Sequence, residues 1–159
     1  STALLPDGTL GKGVTEVELN RQEMDNGSRL ELSHDGYVRR MGYVHRRLLM
    51  VSGDGREVRG EDMLTPAERC RRPVRQPVQL RFHLAPGVEP TLTADSQAAV
   101  LRIDHGALWQ FRTGAGVLSV EDSLWVDGHG HPHPTRQLVV TGEALPGGAS
   151  IGWLFKRMG

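Results

Sequence analysis

The sequence predicts an all-β fold, an antiparallel β-sandwich of two packed sheets. Three observations carry that prediction. Apolar and polar residues alternate with a period of two over most of the chain, the pattern of strands with one face buried. Turn-forming pairs recur at short intervals: Asn26-Gly27, Asp54-Gly55, Pro86-Gly87, His105-Gly106, Asp127-Gly128 and Pro146-Gly147-Gly148, where Gly, Asn, Asp and Pro supply the backbone angles of tight turns. No stretch carries a convincing amphipathic helical pattern, and many short strands separated by turns read as a sandwich or barrel.

The elements follow from the alternation. "TEVELN" sets Val17 and Leu19 against Glu16, Glu18 and Asn20. "VQLRFHL" sets Val78, Leu80, Phe82 and Leu84 against Gln79, Arg81 and His83. "LWQFR" turns Trp109 and Phe111 one way, and "IGWLFK" aligns Ile151, Trp153 and Phe155. Strands are expected near 14–22, 28–33, 37–52, 56–64, 76–84, 90–94, 98–103, 107–113, 116–126, 136–142 and 149–157. The third is long, and its end at Leu48 to Val51 is apolar on both faces, as in a central strand covered on both sides. "LTPAERCRR" is expected to form a helical turn or two from Thr65, with Pro66 at the first helical position. Arg69 to Pro77 is the best candidate for a mobile loop. Trp109, Phe111, Trp153, Phe155, Leu80 and Phe82 are the expected core, because they occupy the apolar faces of alternating strands.

Composition narrows the function classes. A chain of 159 residues suits a single domain with a real core, and 1–159 is read as one β-sandwich domain. Its 19 basic and 19 acidic residues cancel, which argues against a general nucleic-acid binder. The middle is locally basic: arginines outnumber acids over residues 34–81. That excess could face an anionic ligand, but arginines on the solvent side of a sheet give the same imbalance. Cys70 is the only cysteine, so no internal disulfide forms. No apolar run reaches the length of a membrane span.

Three stretches invite a chemical reading. "SHDGYVRRMGYVHRRLLMVS" carries His34, Tyr37, His45, Arg46 and Arg47. Asp35-Gly36 supplies a turn flanked by His34 and Tyr37. In the strand that follows, Tyr43, His45, Arg47, Leu49 and Val51 share one face, and Val44, Arg46, Leu48 and Met50 the other. A neighbouring Tyr and His can do acid–base work, but no partner carboxylate or nucleophile is visible beside them. Polar side chains bonding across a sandwich account equally for the pattern. "HGHPHP" places His129, His131 and His133 at alternate positions, and three imidazoles can bind zinc or nickel. The stretch is rich in Gly and Pro and no thiolate or carboxylate follows at a set spacing. The expectation is an exposed loop with no native zinc. "GEDML" puts Glu61 and Asp62 on opposite faces of a strand, so they cannot form a carboxylate pair, although one can bind a nearby arginine.

"LSHDGYVRRMGYVHRRLLMVSGDGREVRGEDML", followed by "VQLRFHLAPGV", "LRIDHGALWQFRTGAGVLSVEDSLWV" and "RQLVVTG", resembles the C-terminal part of the heparinase II/III-like family. The likeness runs from "LLPDGTLGKGVTEVEL" to "IGWLFKR". It implies the C-terminal part of a polysaccharide-lyase supersandwich, with a helical toroid domain upstream in a longer chain. Such lyases abstract the proton α to a uronate carboxyl group and eliminate the 4-linked sugar. Their proton-transfer residues, and any metal ligands, come from the toroid and the first β-layer, which precede the matched part. The resemblance therefore implies no catalytic residue, no metal ligand and no cofactor here. His34, Tyr37, His45, Arg46 and Arg47 are expected to support the edge of a cleft for acidic polysaccharide, and the family suggests a periplasmic protein. Two rivals stand beside this reading: a stand-alone module binding acidic polysaccharide through the arginine-rich segment, and a small metalloenzyme built on His129, His131 and His133.

Overall fold

The computed structural model describes residues 5–68, 74–103 and 106–159. Eleven strands and one short helix follow in order: β1 (Val17–Met24), β2 (Gly27–His34), α1 (Val38–Met41), β3 (Tyr43–Ser52), β4 (Glu57–Pro66), β5 (Gln76–His83), β6 (Val88–Leu92), β7 (Ala98–Ile103), β8 (Leu108–Thr113), β9 (Val117–Val126), β10 (Pro132–Ala144) and β11 (Ala149–Arg157). An eight-stranded sheet has the order β1-β2-β3-β4-β11-β8-β7-β6, and a three-stranded sheet the order β5-β10-β9. Every pairing is antiparallel. This is the two-sheet sandwich the alternation predicts.

The sheets pack through the faces that the period of two assigns inward. Leu80, Leu118, Leu138 and Val140 of the small sheet meet Ala99, Leu101, Phe111, Ile151 and Trp153 of the large one. Phe82 bridges the layers, its ring centroid 5.0 Å from Phe111 and 4.9 Å from Trp153. Of the six expected core residues, Leu80, Phe111 and Trp153 are buried, and Phe82, Trp109 and Phe155 pack partly buried against them. The Trp153 indole sits against Gly60, its partner in register on β4. A Cβ at Gly60 would stand 2.1 Å from the indole, so that strand position admits only glycine without displacing the tryptophan.

Several local expectations are corrected. The strand expected over 37–52 begins only at Tyr43, because α1 occupies its first part. Gly42, at φ 80°, ends the helix, and its N–H bonds the Val38 carbonyl. The apolar end of β3 is not covered on both faces: Met50 and Val51 are exposed. The helix expected from Thr65 does not form there, since β4 pairs through Pro66 with Tyr43. Residues 69–73, including Cys70 and most of the expected mobile loop, lie outside the described residues, and Gln76 and Pro77 already belong to β5. His105 of the expected His105-Gly106 turn also lies outside them. β1 exists but is not half-buried. Val17 is 69% exposed, because a three-stranded sheet cannot span an eight-stranded one and the β1–β2 wing extends past it.

Candidate functional site

Four neighbouring strands of the large sheet carry one connected polar group on their inner face. His34 ends β2, His45 pairs with it on β3, Asp62 lies on β4, and Trp153 on β11. His34 Nε2 lies 3.0 Å from His45 Nδ1, and His45 Nε2 lies 2.7 Å from Asp62 Oδ1. Arg47 Nε donates to the same Oδ1 at 2.7 Å, and the Trp153 indole N–H donates to Oδ2 at 2.8 Å. Asp62 is only 5% exposed. A buried carboxylate is tolerated because it is paired and hydrogen-bonded on both oxygens.

The bonding fixes the tautomers. The Gly36 N–H donates to His34 Nδ1 at 3.1 Å. His34 must therefore carry its proton on Nε2 and donate it to His45 Nδ1, which leaves His45 Nε2–H to donate to Asp62. All four ring nitrogens are committed inside the chain of bonds. Tyr37 meets both rings at an angle, its centroid 5.4 Å from His34 and 6.1 Å from His45. It is the residue preceding α1, so the turn at Asp35-Gly36 and the short helix together set its place. Asp35 anchors that turn by accepting the Thr15 N–H at 2.9 Å and the Glu16 N–H at 3.2 Å.

The group forms one wall of a cavity of about 230 Å³ between the sheets. Tyr37, His45, Arg47 and Asp62 give it polar character, and Leu64, Val78, Leu80 and Ile151 its apolar remainder. Tyr43 lines it as well, and its hydroxyl donates to the Leu145 carbonyl at 2.7 Å.

Burial and the neighbouring His45 hold the His34 imidazole below its ordinary pKa of 6.5. Burial pushes the Asp62 carboxyl up, but the hydrogen bonds from His45, Arg47 and Trp153 outweigh it and hold the group below 3.8. Both shifts act in the same direction on stability. A depressed folded-state pKa means that the unfolded chain takes up protons first, so stability is complete above the unfolded value and falls as pH drops through the folded one. Urea midpoints are thus expected to decline below pH 6.5 as His34 is protonated, and further below pH 3.8 as Asp62 is. The His34→Gln variant should lose the first decline and keep the second. An identical profile in that variant would refute the assignment.

The sequence-predicted residues separate into two sets. His34, Tyr37, His45 and Arg47 come together. Arg46 does not join them: it lies on the opposite face, 3.3 Å from Glu31. Other arginines of the basic segment are also partnered on the surface, Arg59 by Glu57, Arg75 by Glu143 and Arg81 by Glu121. Asp62 does bind an arginine, as its strand position allowed. Its central place, and the Trp153 indole as its donor, were not anticipated; the only signal was the equal phase of Asp62 and Gly60 on one face of β4. Of the three clustered histidines, His129 and His131 lie in an exposed turn, but His133 belongs to β10 rather than to a loop. Asp127 organises that turn, accepting the backbone N–H groups of His129 at 2.8 Å and His131 at 2.9 Å. Among the described residues no group of three His, Cys, Asp or Glu side chains is placed to hold a metal ion.

The family described as heparinase II/III-like, C-terminal, matches residues 1–154. The chain belongs to that family. It is 32% identical over 149 residues to FtsZ-localized protein C of Caulobacter vibrioides (strain NA1000 / CB15N), covering 89% of this chain and 25% of that protein. Among solved structures, heparan sulfate lyase HepC from Pedobacter heparinus superposes with a TM-score of 0.75 at 9% identity, covering 90% of this chain and 22% of the other. The heparinase III BT4657 gene product superposes at 0.71 and 11% identity, covering 91% and 22%. At such identities the superpositions establish the shared fold alone. The chain spans about a quarter of the length of the proteins it matches.

Proposed function

We propose that this chain is the C-terminal β-sandwich domain of a longer heparinase II/III-like polysaccharide lyase, with a helical toroid upstream, and that it supports the cleft without catalysing by itself. The parent acts on uronate-containing acidic polysaccharide by β-elimination. Tyr37, His45 and Arg47 line the cavity edge, with His34 behind them as a brace. The observation that carries the supporting role is the bonding of the two imidazoles. A general base needs a ring nitrogen free to take a proton, and all four here are committed to Gly36, to each other and to Asp62. The family match over 1–154 supports the lyase class of the parent.

The test is the absorbance of the unsaturated uronate product on heparin, heparan sulfate, chondroitin and alginate. The parent protein is expected to turn over at least one of them, and the purified chain none. Turnover by the chain, lost in Tyr37→Phe or His45→Ala, would place the catalytic site here instead.

One observation favours a second reading for the parent's place of action. The relative at 32% identity is named for localisation to FtsZ. A parent that works at the division site on envelope polysaccharide would co-localise with FtsZ when fluorescently tagged, and a diffuse signal would dispose of that reading.

A further inference from the structure

The outer face of the three-stranded sheet carries cross-strand rungs. Arg81 on β5 reaches across β10 to Glu121 on β9 at 2.9 Å, with the Gln79 side-chain oxygen accepting from the same guanidinium at 2.7 Å. His83 Nδ1 meets Ser123 Oγ at 2.7 Å. Trp125 and His133, partners in register, bring their rings to 5.6 Å in a tilted contact. Successive rungs stand two residues apart, about 6.8 Å.

The first two rungs roof the middle strand. Val139 and Gln137 point to this outer face, since they pair with Arg81 and His83, yet both are buried. Gln137 is 7% exposed. Its Nε2 donates to the Asp122 carbonyl at 3.1 Å, while its Oε1 is a buried acceptor with no hydrogen-bond partner among the described residues. Buried acceptors are rarely left so. The last rung is different: β9 and β10 run past β5, whose pairing stops at Gln137. The hairpin arm beyond that point leaves Trp125 41% exposed.

We propose that this face is a binding platform for a polysaccharide strand, with one pyranose ring lying on Trp125 and the chain continuing over the Ser123 and Glu121 rungs. This rests on the polysaccharide reading above but concerns a surface on the far side of the small sheet from the cavity. The apolar C–H face of a pyranose suits the electron-rich face of an indole. Sugar hydroxyls both donate and accept, so they can exchange with the Ser123, His83 and Glu121 side chains, and opening the His83–Ser123 rung offers the Gln137 Oε1 a donor. The core of a protein–protein interface is depleted of charged residues, whereas this face carries the Arg81–Glu121 pair on the same side as Trp125.

The test is affinity electrophoresis of the whole chain in gels containing heparan sulfate, with chondroitin gels alongside. Binding is expected, with Trp125→Ala weakening it at least about tenfold, as loss of an aromatic anchor does, and Trp125→Phe largely restoring it. Leu124→Ala, on the opposite face of the arm, should bind as the wild type does. The contribution of Trp125 should persist at raised salt, because stacking is not screened as ion pairing is. No binding by the wild type, or binding indifferent to Trp125, overturns the platform. So does a Trp125→Ala variant whose only change in sedimentation velocity is lost self-association. The parent's lyase assay is independent of all these outcomes, so the two readings can fail separately.

Discussion

Asp62→Ala is expected to destabilise the chain by about 3–5 kcal/mol, the loss typical of breaking a buried ion pair from one side. The carboxylate accepts from three side chains on two other strands: His45 and Arg47 on β3 and Trp153 on β11. Alanine fills less space and accepts nothing. The indole N–H would stay buried without a partner, a cost of about 1–3 kcal/mol in itself. His45 would also lose the bond that fixes its tautomer, and the His34–His45 contact would weaken with it. Equilibrium unfolding in urea measures the effect, read as a lowered midpoint at unchanged slope. A loss under about 1 kcal/mol would mean that water takes the place of the carboxylate as acceptor for all three donors and that the group is a surface ion pair in practice. Asp62→Asn should fall between the two, since one carboxamide oxygen still accepts but its NH2 cannot serve the remaining donors.

Phe111→Ala is the second large effect, at about 3–5 kcal/mol for a large side chain removed from a closed core. Phe111 is fully buried. Its ring lies 5.0 Å from Phe82 of the opposite sheet and 4.8 Å from Phe155 beside it in register. The space it leaves is walled by rigid rings and small alanines on β7, which cannot relax into it. Trp109→Ala, two residues earlier on the same strand, should cost clearly less because that tryptophan is only partly buried. Equal losses at the two positions would show that the core does not centre where the burial places it.

Much of the fold was legible because its physics is local. The period of two marked most of the strands, and the ends at 98–103 and 149–157 agree with β7 and β11 to the residue. What escaped depends on distant chain. Val17 and Leu19 alternate as a half-buried strand does, but burial requires a covering layer, and the small sheet stops short of β1. α1 was hidden because four residues are too few to show a helical period; Gly42 after "VRRM" was its only trace. The candidate site was half legible. His34, Tyr37, His45 and Arg47 stood in one stretch and on one face, but the acid that joins them comes from the next strand and the indole from the far end of the chain. Separations of 17 residues for His45–Asp62 and 91 for Trp153–Asp62 leave no spacing rule to read.

β11 lies between β4 and β8 in the large sheet, so the strand made after all ten others of this sandwich is the one that joins the halves of its larger layer. Until residues 149–157 emerge, β1–β4 and β6–β8 are two ribbons that no strand pairing joins among the described residues, each with an open edge toward the gap. A nascent chain of this kind cannot settle domain-like pieces in the order they are made. It must wait with apolar faces held apart, and then close non-local pairs of the sort that make β-rich proteins fold in about milliseconds to seconds. During synthesis the chain therefore depends on the interval before β11 being short, or on a chaperone to cover the unfilled slot.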